Sequence, residues 1–166
     1  MAAVRLAVLC LPLLLCTAVA AQAADVVRHL DPSGKSSIAR AVEVPSDKTV
    51  VYLSGSVPGV SNPGAPKDSL EAYGDTKAQT LSVLGQIDKQ LKGLGLTMGD
   101  VVKMQAFLVG GPETGGKMDS EGYRAAYAEY FGTKTQPNLP ARSTLQIAGL
   151  AHPAFRVEIE VVAVRP

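Results

Sequence analysis

The chain has 166 residues, 46% of them hydrophobic, and a formal net charge of +1. A charge so near zero argues against the basic surface that nucleic acids or anionic membranes require. With two histidines, two cysteines and no clustered ligand spacing, a zinc site is not expected either.

Residues 1–23, MAAVRLAVLCLPLLLCTAVAAQA, carry one cation, Arg5, then an apolar run from Leu6 to Val19. They end in the small-x-small pattern Ala21-Gln22-Ala23. That is the build of a cleavable secretory signal, and the run is shorter than the ~20 residues of a membrane span. Leucine precedes both Cys10 and Cys16, which argues against a lipoprotein. Cleavage after Ala23 implies a periplasmic or secreted protein with no membrane attachment. It removes both cysteines, and with Arg5 gone the formal charge falls to zero. Residues 24–35 read as a lead-in and residues 36–166 as one domain.

Val26 and Val27 suggest a short edge strand, and His29, without metal-type neighbours, reads as incidental. Residues 41–44 and 49–53 read as a hairpin across Pro45-Ser46-Asp47-Lys48. Ser54-Gly55 closes its second strand, and a glycine there admits close approach of a ligand. Residues 56–66 are a Gly/Pro-rich loop. A helix follows over about residues 75–94, its core stripe made by Thr80, Leu84, Ile87, Leu91 and Leu94, with Asp75 or Thr76 as cap and Gly93 or Gly95 as stop. Residues 101–109 form the next strand.

Residues 111–117 spell G-x-x-x-x-G-K, but Met118 stands where a phosphate-binding loop needs Ser or Thr for Mg²⁺. The expectation for 110–117 is a flexible Gly-rich loop, a candidate lid. A second helix is expected over 120–131, capped by Asp119, with Tyr123, Ala126, Tyr127 and Tyr130 on one side.

The C-terminal stretch 140–164 alternates with period two. Arg142, Thr144 and Gln146 oppose Ser143, Leu145 and Ile147. Val157, Ile159, Val161 and Ala163 oppose Glu158 and Glu160. The expectation is a hairpin whose apolar faces share the core, with Thr144 opposite Glu160 and Arg142 one diagonal step away. The element order predicts an α+β fold: one mixed sheet with both helices on one face.

Four ordered segments resemble the reactive-intermediate deaminase (RidA/YjgF) family. They are Leu53-Ser54-Gly55-x-x-Pro58, the helix DTKAQTLSVLGQIDKQLKGLGL, GDVVKMQAFL, and PARS followed by VEIEVVAV; together they span about residues 36–164. The resemblance implies a homotrimer with clefts between subunits. It implies hydrolysis of enamines and imines of 2-oxo acids to keto acid and ammonia, with no metal or organic cofactor. By the same resemblance Arg142 holds the substrate carboxylate, Glu160 is the acid/base, and Ser54, Gly55 and Thr144 hold the ligand. Ile38 and Arg124 stand where active members carry tyrosine and asparagine. The alternative is a non-catalytic trimeric binder of a small carboxylate, or a protein-interaction module on the same scaffold; turnover of a 2-imino acid separates the two.

Overall fold

A computed structural model describes residues 25–166, so the expected leader lies outside the described residues. Six strands and two helices follow in the order β1 (Val27–His29), β2 (Ala41–Glu43), β3 (Val50–Ser56), α1 (Thr76–Gly93), β4 (Val101–Val109), α2 (Ser120–Tyr127), β5 (Ala141–Ile147) and β6 (Val157–Val164). The main sheet has strand order β3-β6-β4-β5, and β1 and β2 form a separate pair. β4 runs parallel to β5 and antiparallel to β6. The fold is thus α+β with a mixed sheet and two helices packed side by side, as the pattern implied.

Two pairings differ from expectation. Residues 41–43 pair with Val27–His29 and not with β3. The reason is a long-range anchor. The Arg28 guanidinium donates to the carbonyls of Val101 at 3.0 Å, Leu139 at 2.9 Å and Gly99 at 2.9 Å, which fixes β1 against the start of β4. Burial pulls the Arg28 pKa down, but these carbonyls satisfy its donors. The second difference is that β5 and β6 are not a hairpin: β4 lies between them.

α1 forms because the Asp75 carboxylate caps the Ala78 N–H at 2.8 Å and its apolar positions recur every three to four residues. It stops at Gly95, whose φ of +71° is easy only for glycine. Val83, Leu84, Ile87 and Leu91 are fully buried, whereas Leu94, expected in the stripe, is 42% exposed beyond the last turn. Each buried side chain stabilises by roughly 1.5–3 kcal/mol, and Ile87→Ala would cost about 2–5 kcal/mol. β6 supplies the facing layer: Val157, Ile159, Val161 and Ala163 are all buried. α2 is shorter than expected and ends at Tyr127; Gly132, with φ of +70°, turns the chain back.

Among the described residues no helix is long and apolar enough to cross a membrane.

Candidate functional site

The register places every candidate side chain. Met104 pairs with both Arg142 and Val161, and Ala106 with both Thr144 and Ile159. Cross-strand partners share a face, and Met104, Ala106, Val161 and Ile159 are core. Arg142 and Thr144 therefore lie on the helix-covered face. Gln105 pairs with Ser143 and Glu160, and Phe107 with Leu145 and Glu158, so both glutamates lie on the opposite, helix-free face. The expected meeting of Arg142 with Glu160 in one chain does not occur. Alternation along β5 was read correctly, but the face assigned to the core was inverted. Leu145 is 43% exposed, while arginine and threonine turn inward.

An inward arginine is tolerable because α2 offers it aromatic faces. The Arg142 guanidinium carbon sits 4.1 Å from the Tyr127 ring centroid and 5.2 Å from that of Tyr123, a cation–π seat. Arg142 Nη1 and Thr144 Oγ1 are buried without a hydrogen-bond partner. Burial pushes the Tyr123 hydroxyl pKa up, and the nearby Arg142 charge only partly opposes it. Burial likewise pushes Tyr127 up, and its hydroxyl donates to the Ser37 carbonyl at 3.0 Å. That bond, with the parallel bridge from Ala39 to Ala141, brings residues 37–39, Ile38 included, alongside the start of β5. The product is a permanently charged fork beside a hydroxyl. Both lie within reach of the Tyr123 hydroxyl, but Arg142 Nη1 and Thr144 Oγ1 lack a well-formed hydrogen bond, so an incoming oxyanion that supplies one is favoured.

The second group of candidates lies on the other edge. β3 pairs with β6 through Leu53↔Val161, then bulges, and resumes at Ser56↔Ile159, leaving Ser54 and Gly55 in the irregularity. The Glu158 carboxylate packs onto Gly55 so closely that a Cβ there would overlap it. A side chain there would push the end of Glu158 aside, so glycine leaves the carboxylate its place at the bulge. Glu160 lies two residues further, in a hollow of about 320 Å³ with Tyr52, Leu53, Lys103 and Gln105. The resemblance points to Glu160; Glu158 shares its strand face, and only the bulge tells the two apart.

β5 and β3 are opposite edges of the sheet, three strand spacings or about 14 Å apart, and their candidates face opposite ways. Arg142 and Thr144 cannot meet Ser54, Gly55 and Glu158 within one chain.

The loop 110–117 is tied down and is not a free lid. Gln146 accepts from the Met118 N–H at 2.9 Å and donates to the Gly116 carbonyl at 2.7 Å. Glu113 pairs with the buried Arg156 at 2.5 Å, which holds the Glu113 carboxyl below its usual pKa. Gln79, fully buried, completes this junction. Its amide donates to the carbonyls of Gly74 and Ala154, both at 2.9 Å, and it accepts from the Arg156 N–H at 2.7 Å. Among the described residues no cluster of His, Cys, Asp or Glu could hold a metal ion.

Comparison with known proteins places this architecture. The family described as Endoribonuclease L-PSP matches residues 35–165. A RutC family protein of Haemophilus influenzae is 31% identical over 116 residues, covering 70% of this chain and 79% of that protein. The crystal structure of YyfB from Yersinia pestis, of the Rid protein family, superposes with a TM-score of 0.59 at 24% identity, covering 78% of this chain and 87% of its own. That of Escherichia coli TdcF with bound serine gives a TM-score of 0.55 at 25% identity, covering 74% and 85%. The chain belongs to the RidA/YjgF family, also described as Endoribonuclease L-PSP.

Proposed function

We propose that the protein hydrolyses enamines and imines of 2-oxo acids, in clefts built between copies of the chain. The observation that carries the proposal is the Arg142 fork: seated on Tyr127 and Tyr123, with Nη1 buried and unpaired, it is built to receive a planar anion. TdcF, of the same fold, holds serine, itself a small molecule with one carboxylate.

Arg142 grips the substrate carboxylate, and the Thr144 hydroxyl accompanies it. Ser54 and Gly55 of a neighbouring copy supply polar and backbone contacts. A carboxylate of that copy's β6 orients water against the imine carbon. Glu158, packed on Gly55, fits this role better than Glu160, which the resemblance had suggested. Water adds to the imine carbon as one of its protons passes through the carboxylate to the nitrogen, giving a carbinolamine. The carboxylate then carries the hydroxyl proton to the amine nitrogen as the C=O bond forms and the C–N bond breaks, releasing 2-oxo acid and ammonia.

Assembly follows from the same geometry. The helix-free sheet face leaves Tyr52 79% exposed and Leu145 43% exposed, an apolar face that a neighbouring copy would cover. Closed threefold symmetry lets each β5 edge meet the next copy's β3 edge. Residues 1–23 read as an export signal, which assigns the activity to the periplasm or the exterior.

The test is turnover of 2-iminobutanoate, generated in situ by an amino-acid oxidase, beside a buffer control. Hydrolysis well above buffer is expected. A rate equal to buffer refutes the deaminase reading in favour of a carboxylate binder without turnover. That second reading is favoured by Ile38, which brings no hydroxyl where active relatives carry tyrosine.

A further inference from the structure

We propose that the clamp has two arms, Arg142 and Arg124, and that its preferred ligand is a 2-imino or 2-oxo acid bearing a second carboxylate on its side chain. This rests on the carboxylate-binding reading above and names the substrate class.

A helix turns by roughly 100° per residue. Tyr123 and Tyr127 mark the side facing the sheet, because both are buried and both lie against Arg142. Gly122 marks the side facing α1, because its position lies against the Lys77 backbone. Arg124 is roughly 100° from Tyr123 in the direction away from α1. It therefore overhangs the outer flank of the sheet, where β5 is the edge strand and Arg142 sits.

Arg124 is exposed and forms no ion pair among the described residues, whereas Glu129, just past the end of α2, is taken by Lys77 at 3.6 Å. Arg142 likewise forms no ion pair among the described residues. Two uncompensated guanidinium groups thus flank one open edge, one seated and partly buried, the other free to reach. Each is a planar fork suited to a carboxylate. A ligand with one carboxylate leaves Arg124 unused, and one with two engages both.

The test titrates the wild-type assembly by calorimetry with 2-oxoglutarate and with 2-oxobutanoate. In parallel it measures initial rates on 2-iminoglutarate and 2-iminobutanoate made in situ by amino-acid oxidases. Wild type should bind 2-oxoglutarate about tenfold more tightly than 2-oxobutanoate, the effect of one partly exposed charge-assisted contact. Arg124→Asn should bring the two affinities within about twofold, and rising salt should erode the wild-type preference. Because Arg124 is exposed, the variant keeps its fold, checked by melting temperature. Equal wild-type affinities, or a preference that survives Arg124→Asn, overturns the inference. Arg124-dependent binding of 2-oxoglutarate without turnover of either imine upholds the inference and removes the deaminase reading. Binding of neither acid removes both.

Discussion

Replacing Arg142 tests the site most directly, because the structure separates its contribution to stability from its contribution to binding. In Arg142→Ala two seats over aromatic rings are lost, at 4.1 and 5.2 Å, worth about 0.5–1 kcal/mol each. The same change removes a buried Nη1 that has no partner, relieving a penalty of about 1–3 kcal/mol. The two effects nearly cancel, so the melting temperature should move by no more than about 4 °C. Binding has no such offset. A carboxylate held by two charge-assisted bonds of about 1.5–3 kcal/mol each, discounted because the guanidinium is only half-buried, loses about 3 kcal/mol. That is on the order of 100-fold in kcat/KM. Arg142→Lys keeps the charge without the fork and should recover part of that loss. The assay is initial rate on 2-iminobutanoate beside melting temperature for wild type and both variants. An Arg142→Ala rate within threefold of wild type refutes the clamp. So does a loss of activity that only tracks the folded fraction, with a melting temperature lowered by about 10 °C.

Four further outcomes are expected. Glu158→Gln should lower kcat by about 100-fold or more with little change in KM, as loss of an acid/base does. Glu160→Gln should do much less, and the reverse ranking would return the role to Glu160. Gln79→Ala strands two carbonyls and the Arg156 N–H, which should cost about 3–5 kcal/mol, read by chemical denaturation. Glu113 has a folded pKa depressed by its bond to Arg156, so the stability it contributes is present above the ordinary value of 4.5 and is lost as pH falls through the folded value. Melting temperature should therefore drop below pH 4.5 more steeply in wild type than in Glu113→Gln. Light scattering on the mature chain should report a trimer; a monomer at micromolar concentration would leave the two edge groups unable to form one site.

Much of the local structure could be read directly from the residues. Core spacing over 80–91 placed α1, and Asp75 and Gly95 bound it. Alternation in β6 named four core side chains correctly, and β4 was placed at its observed bounds. The parity of β5 was also right: Arg142, Thr144 and Gln146 do share a face. These features are local, since side-chain period depends only on the backbone of the segment itself.

What the residues could not reveal was which face of β5 is covered and which strands are neighbours. Parity divides a strand into two faces without saying which is inward. The outward turn of Leu145 and the inward turn of Arg142 depend on Tyr123 and Tyr127, which arrive from α2. The insertion of β4 between β5 and β6 is a long-range choice, and a parallel pair such as β4–β5 needs a crossover that no turn signal marks. That insertion separates Arg142 from both glutamates. The bulge in the β3–β6 ladder, equally long-range, makes Glu158 rather than Glu160 the carboxylate at Gly55. With Arg142 and Thr144 on one edge strand and Ser54 and Gly55 on the other, local periodicity set the chemistry each strand can offer, and only tertiary pairing decided which groups can meet.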